Sequence, residues 1–145
     1  MLKGINWISV IIAFVLLEGL GYLWYGVVFK DAWTAEMAAI GLKPDMSSSA
    51  QTTSLAIGAA LIIVQVLGLS WLTRRLGATS LMAGVTTALS AYVFFALMTQ
   101  GMEYAYMGFT PKLMAINCGQ LALSYVLAGA VLGGVKFGVA KPAAA

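Results

Sequence analysis

Four stretches of the chain carry almost no charge, and charged residues mark where they end. Residues 46–73, 76–102 and 113–135 contain no Asp, Glu, Lys or Arg, and the stretch after Lys3 is interrupted only by Glu18 before Lys30. About 20 mostly apolar residues cross a hydrocarbon core roughly 30 Å thick, so each stretch is long enough to span a bilayer as a helix. The pattern predicts spans at about 5–29, 51–72, 79–101 and 113–137. The expected fold is all-α, a single polytopic four-helix transmembrane domain over residues 1–145. Residues 5–17 resemble the apolar core of a signal peptide, but the segment runs on too far and no small-residue cleavage site follows, so it is expected to stay as a span.

The connection at 30–50 is the longest. Trp33, Met37 and Ile40 recur at helical spacing, and Gly41 with Pro44 supplies a stop, which predicts a short amphipathic helix lying at the outer membrane surface. The alternative is a plain connector with one buried tryptophan. The serine and threonine cluster at 47–53 offers N-caps for the second span. The AKPAAA tail has no packing pattern. The two halves of the chain show no repeat, which weakens an inverted-repeat transporter reading.

Composition agrees with the pattern. Hydrophobic residues make up 61% of the chain and charged residues 9%, against roughly 25% charged in soluble proteins. The net charge of +3 is dispersed along the chain, with only Arg74 and Arg75 adjacent, so it reads as a topology signal and not as a nucleic-acid surface. Lys3, Arg74, Arg75, Lys136 and Lys141 fall on one side, and Lys30, Lys43 and Lys112 on the other, diluted there by Asp31, Glu36, Asp45 and Glu103. That imbalance predicts an inner-membrane protein with both termini cytoplasmic. Trp7, Trp24, Tyr25, Trp33, Trp71, Tyr104 and Tyr106 fall near the expected headgroup levels, with Trp24, Trp33 and Trp71 as interface anchors.

The chain has no histidine and one cysteine, Cys118. An intramolecular disulfide is impossible, and the commonest metal ligand and near-neutral proton carrier is missing. Nor is there a nucleophile with a histidine base or a phosphate-binding glycine loop, so no metal, cofactor or enzymatic activity is expected.

Glu18 lies 15 residues after Lys3 and 12 before Lys30, roughly 22 Å and 18 Å along a helix and out of easy reach of either. A carboxyl at mid-membrane is expected to face other helices or a wet cavity. Helical spacing puts Phe14, Gly21, Tyr22 and Tyr25 on its side, with Gly21 leaving room and either tyrosine offering a hydroxyl. Gln65, Ser90, Tyr92 and the Asn117, Gln120, Ser124 face of the last span are the further candidate partners. Two readings stay open: a protonated structural glutamic acid that locks the bundle, or part of a proton, cation or solute path. The Gly129/Gly133 and Gly134/Gly138 pairs, each G-x-x-x-G, predict close helix packing within the bundle or between subunits. The methionines and the YVFF run at 92–95 read as packing residues.

The segment EGLGYLWYGVVFKDAW, followed by AAIGLKPDM, resembles a bacterial family of small membrane proteins catalogued as domain of unknown function 1761. The likeness rests on Leu23 to Gly26, Phe29, Trp33 and the Ile-Gly-Leu turn at 40–42. It implies a four-span bundle and brings no activity with it. The expected role is a non-enzymatic membrane protein, either a homo-oligomer or an accessory subunit of a larger membrane complex, in contact with lipid. A small transporter using Glu18 is the alternative, and a lipid- or isoprenoid-binding enzyme a minor third.

Overall fold

The computed structural model describes residues 4–42 and 47–136, and no strand occurs among them. Helix α1 (Trp7–Leu23) continues through a π-helical segment, Trp24–Val28, and α2 (Lys30–Ala39) follows. Next come α3 (Ser48–Arg75), then α4 (Leu81–Ala91), which passes through a second π-helical segment, Tyr92–Ala96, into α5 (Leu97–Met107), and finally α6 (Pro111–Gly134).

Four continuous helical stretches are long and apolar enough to cross a membrane: Trp7–Val28, Ser49–Arg75, Leu81–Met107 and Pro111–Gly134. The 27-residue ones reach about 40 Å, longer than the hydrocarbon core, so their ends stand at headgroup level. The third extends past its expected end at 101 and takes in Glu103, because Gly108, with φ 68°, supplies the left-handed residue that stops it. Residue 137 lies outside the described residues, as do Lys3, Lys43, Pro44, Asp45, Gly138, Lys141 and the tail.

The starts of the spans are set by side-chain caps. Asn6, Ser47, Ser80 and Thr110 each accept a hydrogen bond from the backbone N–H three residues on, and Pro111 occupies the first turn after Thr110. Helix α2 is amphipathic: Trp33, Glu36, Met37 and Ile40 are half-buried while Lys30, Asp31, Thr34 and Ala38 are exposed. It seats against the first π-helical segment and α6.

The helices alternate in direction, so α1 and α4 begin where α3 and α6 finish. This is the Arg74 end of the bundle; Glu36 and Lys112 mark the other. The aliphatic core lies toward the Arg74 end, where Val10, Ala13 and Leu17 of α1 meet Val66 and Leu69 of α3 with Ala88 and Ala128.

The tightest seam joins α4 to α6. A Cβ built on Gly129 would lie 2.7 Å from the Ala88 Cβ, and one on Gly133 would lie 2.8 Å from the Gly84 Cα. Gly84 and Ala88 are themselves a small-x-x-x-small pair, so two such pairs face each other and bring the backbones together. Gly134 continues the seam against Leu81 at 3.4 Å. Gly21 takes no part in packing: nothing lies within 4 Å of a Cβ there.

Toward the Lys112 end the bundle opens. Residues 51–57 of α3 are all exposed, with Leu55 at 69% and Ile57 at 57%.

Candidate functional site

Both π-helical segments aim aromatic side chains at the same short run of α6. In the first, the Phe29 N–H donates to the Trp24 carbonyl at 2.8 Å, five residues back, and the extra residue in the turn re-aims the side chains around it. Consecutive residues on an ordinary helix diverge by about 100°. Here both Trp24 and Tyr25 reach α6: the Trp24 Nε1–H donates to the Ile116 carbonyl at 3.0 Å, and the Tyr25 hydroxyl to Asn117 Oδ1 at 3.0 Å. Tyr92 opens the second segment, and its hydroxyl donates to the Cys118 carbonyl at 2.9 Å. Three successive residues, 116–118, are thus each held by an aromatic donor. Gly119 makes the approach feasible, since a Cβ there would stand 3.3 Å from the Trp24 ring.

A second layer completes this collar. Asn117 Nδ2 donates to the hydroxyl of Tyr104, a residue only 7% exposed. The Cys118 thiol donates to Gln100 Oε1 at 3.3 Å. The Tyr25 ring meets Trp33 edge-on at 5.4 Å, Trp24 packs on Phe29 at 4.6 Å, and Tyr104 on Phe109 at 4.8 Å. Helix α2 is tied to the start of α6 by Glu36, which accepts a hydrogen bond from the Thr110 hydroxyl and pairs with Lys112 Nζ at 3.3 Å. The Thr110 hydrogen bond, then the Lys112 charge, holds the Glu36 carboxyl below its ordinary pKa of 4.5.

The sequence-predicted residues divide between this collar and the mid-depth region. Asn117 and Tyr25 bond each other, so Tyr25 is not a partner of Glu18. Trp24 and Trp33, expected as interface anchors, are packed and half-buried within the collar, whereas Trp71 is 36% exposed and lines a groove with Gln65 and Tyr125. Tyr22 is 72% exposed and lies beside Gly26 of its own helix. Ser90 is exposed too. The Asn117, Gln120, Ser124 line does not act as one unit, because Gln120 Nε2 donates to Ser124 Oγ at 3.1 Å within α6 while Asn117 turns to the tyrosines. Lys112, counted in the sequence as a topology signal, carries the Glu36 pair.

Glu18 and Gln65 stand outside the collar's hydrogen bonds. Glu18 Oε1 and Gln65 Nε2 are shut away from solvent with no hydrogen-bond partner among the described residues. Gly4 lies against the Arg74 guanidinium, so the start of α1 and the end of α3 share one level. Counting from there, Glu18 is roughly 16 Å past Trp7 and Gln65 roughly 15 Å before Arg75, so an acceptor and a donor stand at one depth on packed helices. Glu18 lines neither the groove beside Gln65 nor the cavity at the Arg74 end.

Sequence reasoning missed Tyr104, Gln100, Glu36, Thr110 and the Gly84/Ala88 pair. Only the last had a readable signal, its four-residue spacing of small residues. No group of three or more metal-ligating side chains occurs among the described residues.

The model of the family described as "Protein of unknown function (DUF1761)" matches residues 8–133, and the chain belongs to that family. No curated protein and no solved structure matches. The matched region contains every collar residue, and four positions that carried the resemblance, Trp24, Tyr25, Phe29 and Trp33, belong to the collar.

Proposed function

We propose that this member of the DUF1761 family is a non-enzymatic membrane protein that works by helix association, as a homo-oligomer or as an accessory subunit of a larger membrane complex. The observation that carries the reading is the outer half of α3, where residues 51–57 are exposed in an unbroken run, beside helices that the glycine seam and the collar hold together. Lipid tails are as apolar as leucine, so helices in a bilayer associate through close packing and not through hydrophobic transfer. An exposed half-helix beside a packed bundle supplies a surface on which another helix gains contacts. The absence of histidine and of a nucleophile–base pair in the sequence supports the non-enzymatic part. The lysine and arginine distribution supports an inner-membrane location with both termini cytoplasmic.

Native mass analysis after extraction in mild detergent tests this: dimers, higher oligomers or a copurifying membrane protein are expected. A strictly monomeric species without any associated protein counts against it.

A second reading, transport of a proton, cation or small solute, draws on the unpartnered Glu18 Oε1 at mid-depth. Flux into liposomes that disappears in a folded Glu18→Gln variant supports it. Absence of flux for every ion tested sets it aside.

A further inference from the structure

At the Arg74 end, where α1 starts and α3 and α6 finish, the helix ends line a half-open cavity of about 400 Å³. Its polar lining is Asn6, Ser9, Ser70, Arg74, Thr79 and Lys136, with no acidic residue. Two cations therefore face one space, and neither forms a salt bridge among the described residues. The floor is built and fixed. Asn6 Nδ2 donates to the Val135 carbonyl at 2.9 Å, joining the end of α6 to the start of α1, and the Ser9 hydroxyl donates to the Asn6 carbonyl at 2.8 Å. Ser9 and Ser70 are 1% and 3% exposed.

The Ser70 hydroxyl is the telling group. It lines the cavity, it is almost wholly buried, and it makes no hydrogen bond among the described residues. Its neighbour Thr73, equally buried, instead returns its hydroxyl to the α3 carbonyls of Leu69 and Ser70. Arg74 is also positioned. Its guanidinium lies over Gly4, where φ is +81° and a Cβ would come 2.8 Å from Nη2, so a residue without a side chain is what lets the arginine lie there.

An unoccupied hydroxyl donor beside an arginine and a lysine, with apolar Leu132 and Val135 on the remaining wall, matches a phosphate group that carries an organic tail. We propose that this cavity binds a phosphate-bearing ligand, with Arg74 and Lys136 neutralising the anion and Ser70 donating to one of its oxygens. The site stands at the level where the spans leave the hydrocarbon, so phospholipid headgroups and soluble phosphate both reach it.

The test uses the full chain in nanodiscs. In one arm, discs of phosphatidylcholine doped with phosphatidylglycerol are analysed by native mass spectrometry for lipid retained by the protein. In the other, inorganic phosphate is titrated onto phosphatidylcholine discs and thermal stability is followed. Retention of phosphatidylglycerol without a phosphate response identifies the headgroup as the source, and a saturable phosphate response identifies the soluble anion. Arg74→Gln is expected to weaken whichever binding occurs about tenfold or more, since a charge-assisted hydrogen bond is lost. Arg75→Gln, which removes the same charge outside the cavity lining, is expected to leave it unchanged. Lys136→Gln and Ser70→Ala give the same answer should Arg74→Gln fold poorly. Equal losses in Arg74→Gln and Arg75→Gln, no binding in either arm, or an Arg74→Gln variant that loses stability but retains ligand would each overturn the proposal. The last result would assign Arg74 only to the carbonyl end of α3.

Discussion

Replacing one glycine at a time by alanine separates contact from backbone propensity in this bundle. At Gly129 the new methyl would sit 2.7 Å from the Ala88 Cβ and 2.5 Å from the Gly84 carbonyl oxygen. Carbon atoms in ordinary contact stand about 3.5–4.0 Å apart, so α4 and α6 must part by about 1 Å. Overpacking of this kind costs about 1–3 kcal/mol. At Gly21 the same methyl meets nothing within 4 Å. Both positions are helix interiors, where exchanging glycine for alanine gains up to about 1 kcal/mol. That gain is common to the two variants, so Gly129→Ala should fall below Gly21→Ala by about 1–3 kcal/mol. Reversible unfolding in mixed micelles with rising dodecyl sulfate, followed by tryptophan fluorescence, measures the difference. If the two variants unfold within about 0.5 kcal/mol of each other, the seam is not the close backbone contact described above and the reasoning fails.

The collar should show a graded response in the same unfolding assay. Tyr25→Phe removes one hydrogen bond and is expected to cost about 1 kcal/mol, whereas Asn117→Ala strands both Tyr25 and Tyr104 and is expected to cost about 2 kcal/mol or more; equal costs would mean that Asn117 does not bridge the two. The tie between α2 and α6 should depend on pH. Because the folded Glu36 pKa lies below the ordinary 4.5, the tie contributes fully above about that value and is lost as pH falls through the lower folded value. Hydrogen exchange over residues 30–39 should therefore quicken with acid in the wild type, after correction for intrinsic rates, and show no such step in Glu36→Gln. A reporter fused after Ala145 is expected to be cytoplasmic and one inserted near Ser48 periplasmic, and the opposite labelling would reverse the orientation.

The span pattern was legible because charge is so costly in hydrocarbon that Arg74, Arg75, Lys30 and Lys112 had to fall at or beyond helix ends. The amphipathic α2 was legible for the same reason, through the spacing of Trp33, Met37 and Ile40. Hydropathy could not say that Glu36 shares the inward face, since its stability there depends on Thr110 and Lys112, 74 residues or more along the chain. Nor does periodicity reveal a π-helical turn: one added residue re-aims Trp24 and Tyr25 while leaving the apolar run unbroken. Tyr104 looked like a headgroup anchor because the span was expected to end near 101, before Glu103. The helix ends instead at Gly108, which places Tyr104 inside against Asn117. The polar face of α6 was identified, but a face does not specify which neighbour stands at each depth, and Asn117 and Gln120 found different ones. Glu18 keeps its mid-depth position at the level of Gln65, while Tyr22 is turned outward and Tyr25 is engaged with Asn117.

The claim that the outer half of α3 is an association surface is tested most directly by cysteine cross-linking in native membranes. Leu55→Cys, on the exposed half of α3, is compared with Phe94→Cys, which is 71% exposed on the third span, both in a Cys118→Ala background. A bifunctional thiol–amine reagent should join Leu55→Cys to a second copy or to one defined membrane protein, and should leave Phe94→Cys largely uncoupled. No defined product at Leu55, or equal and heterogeneous coupling at both positions, would contradict the claim.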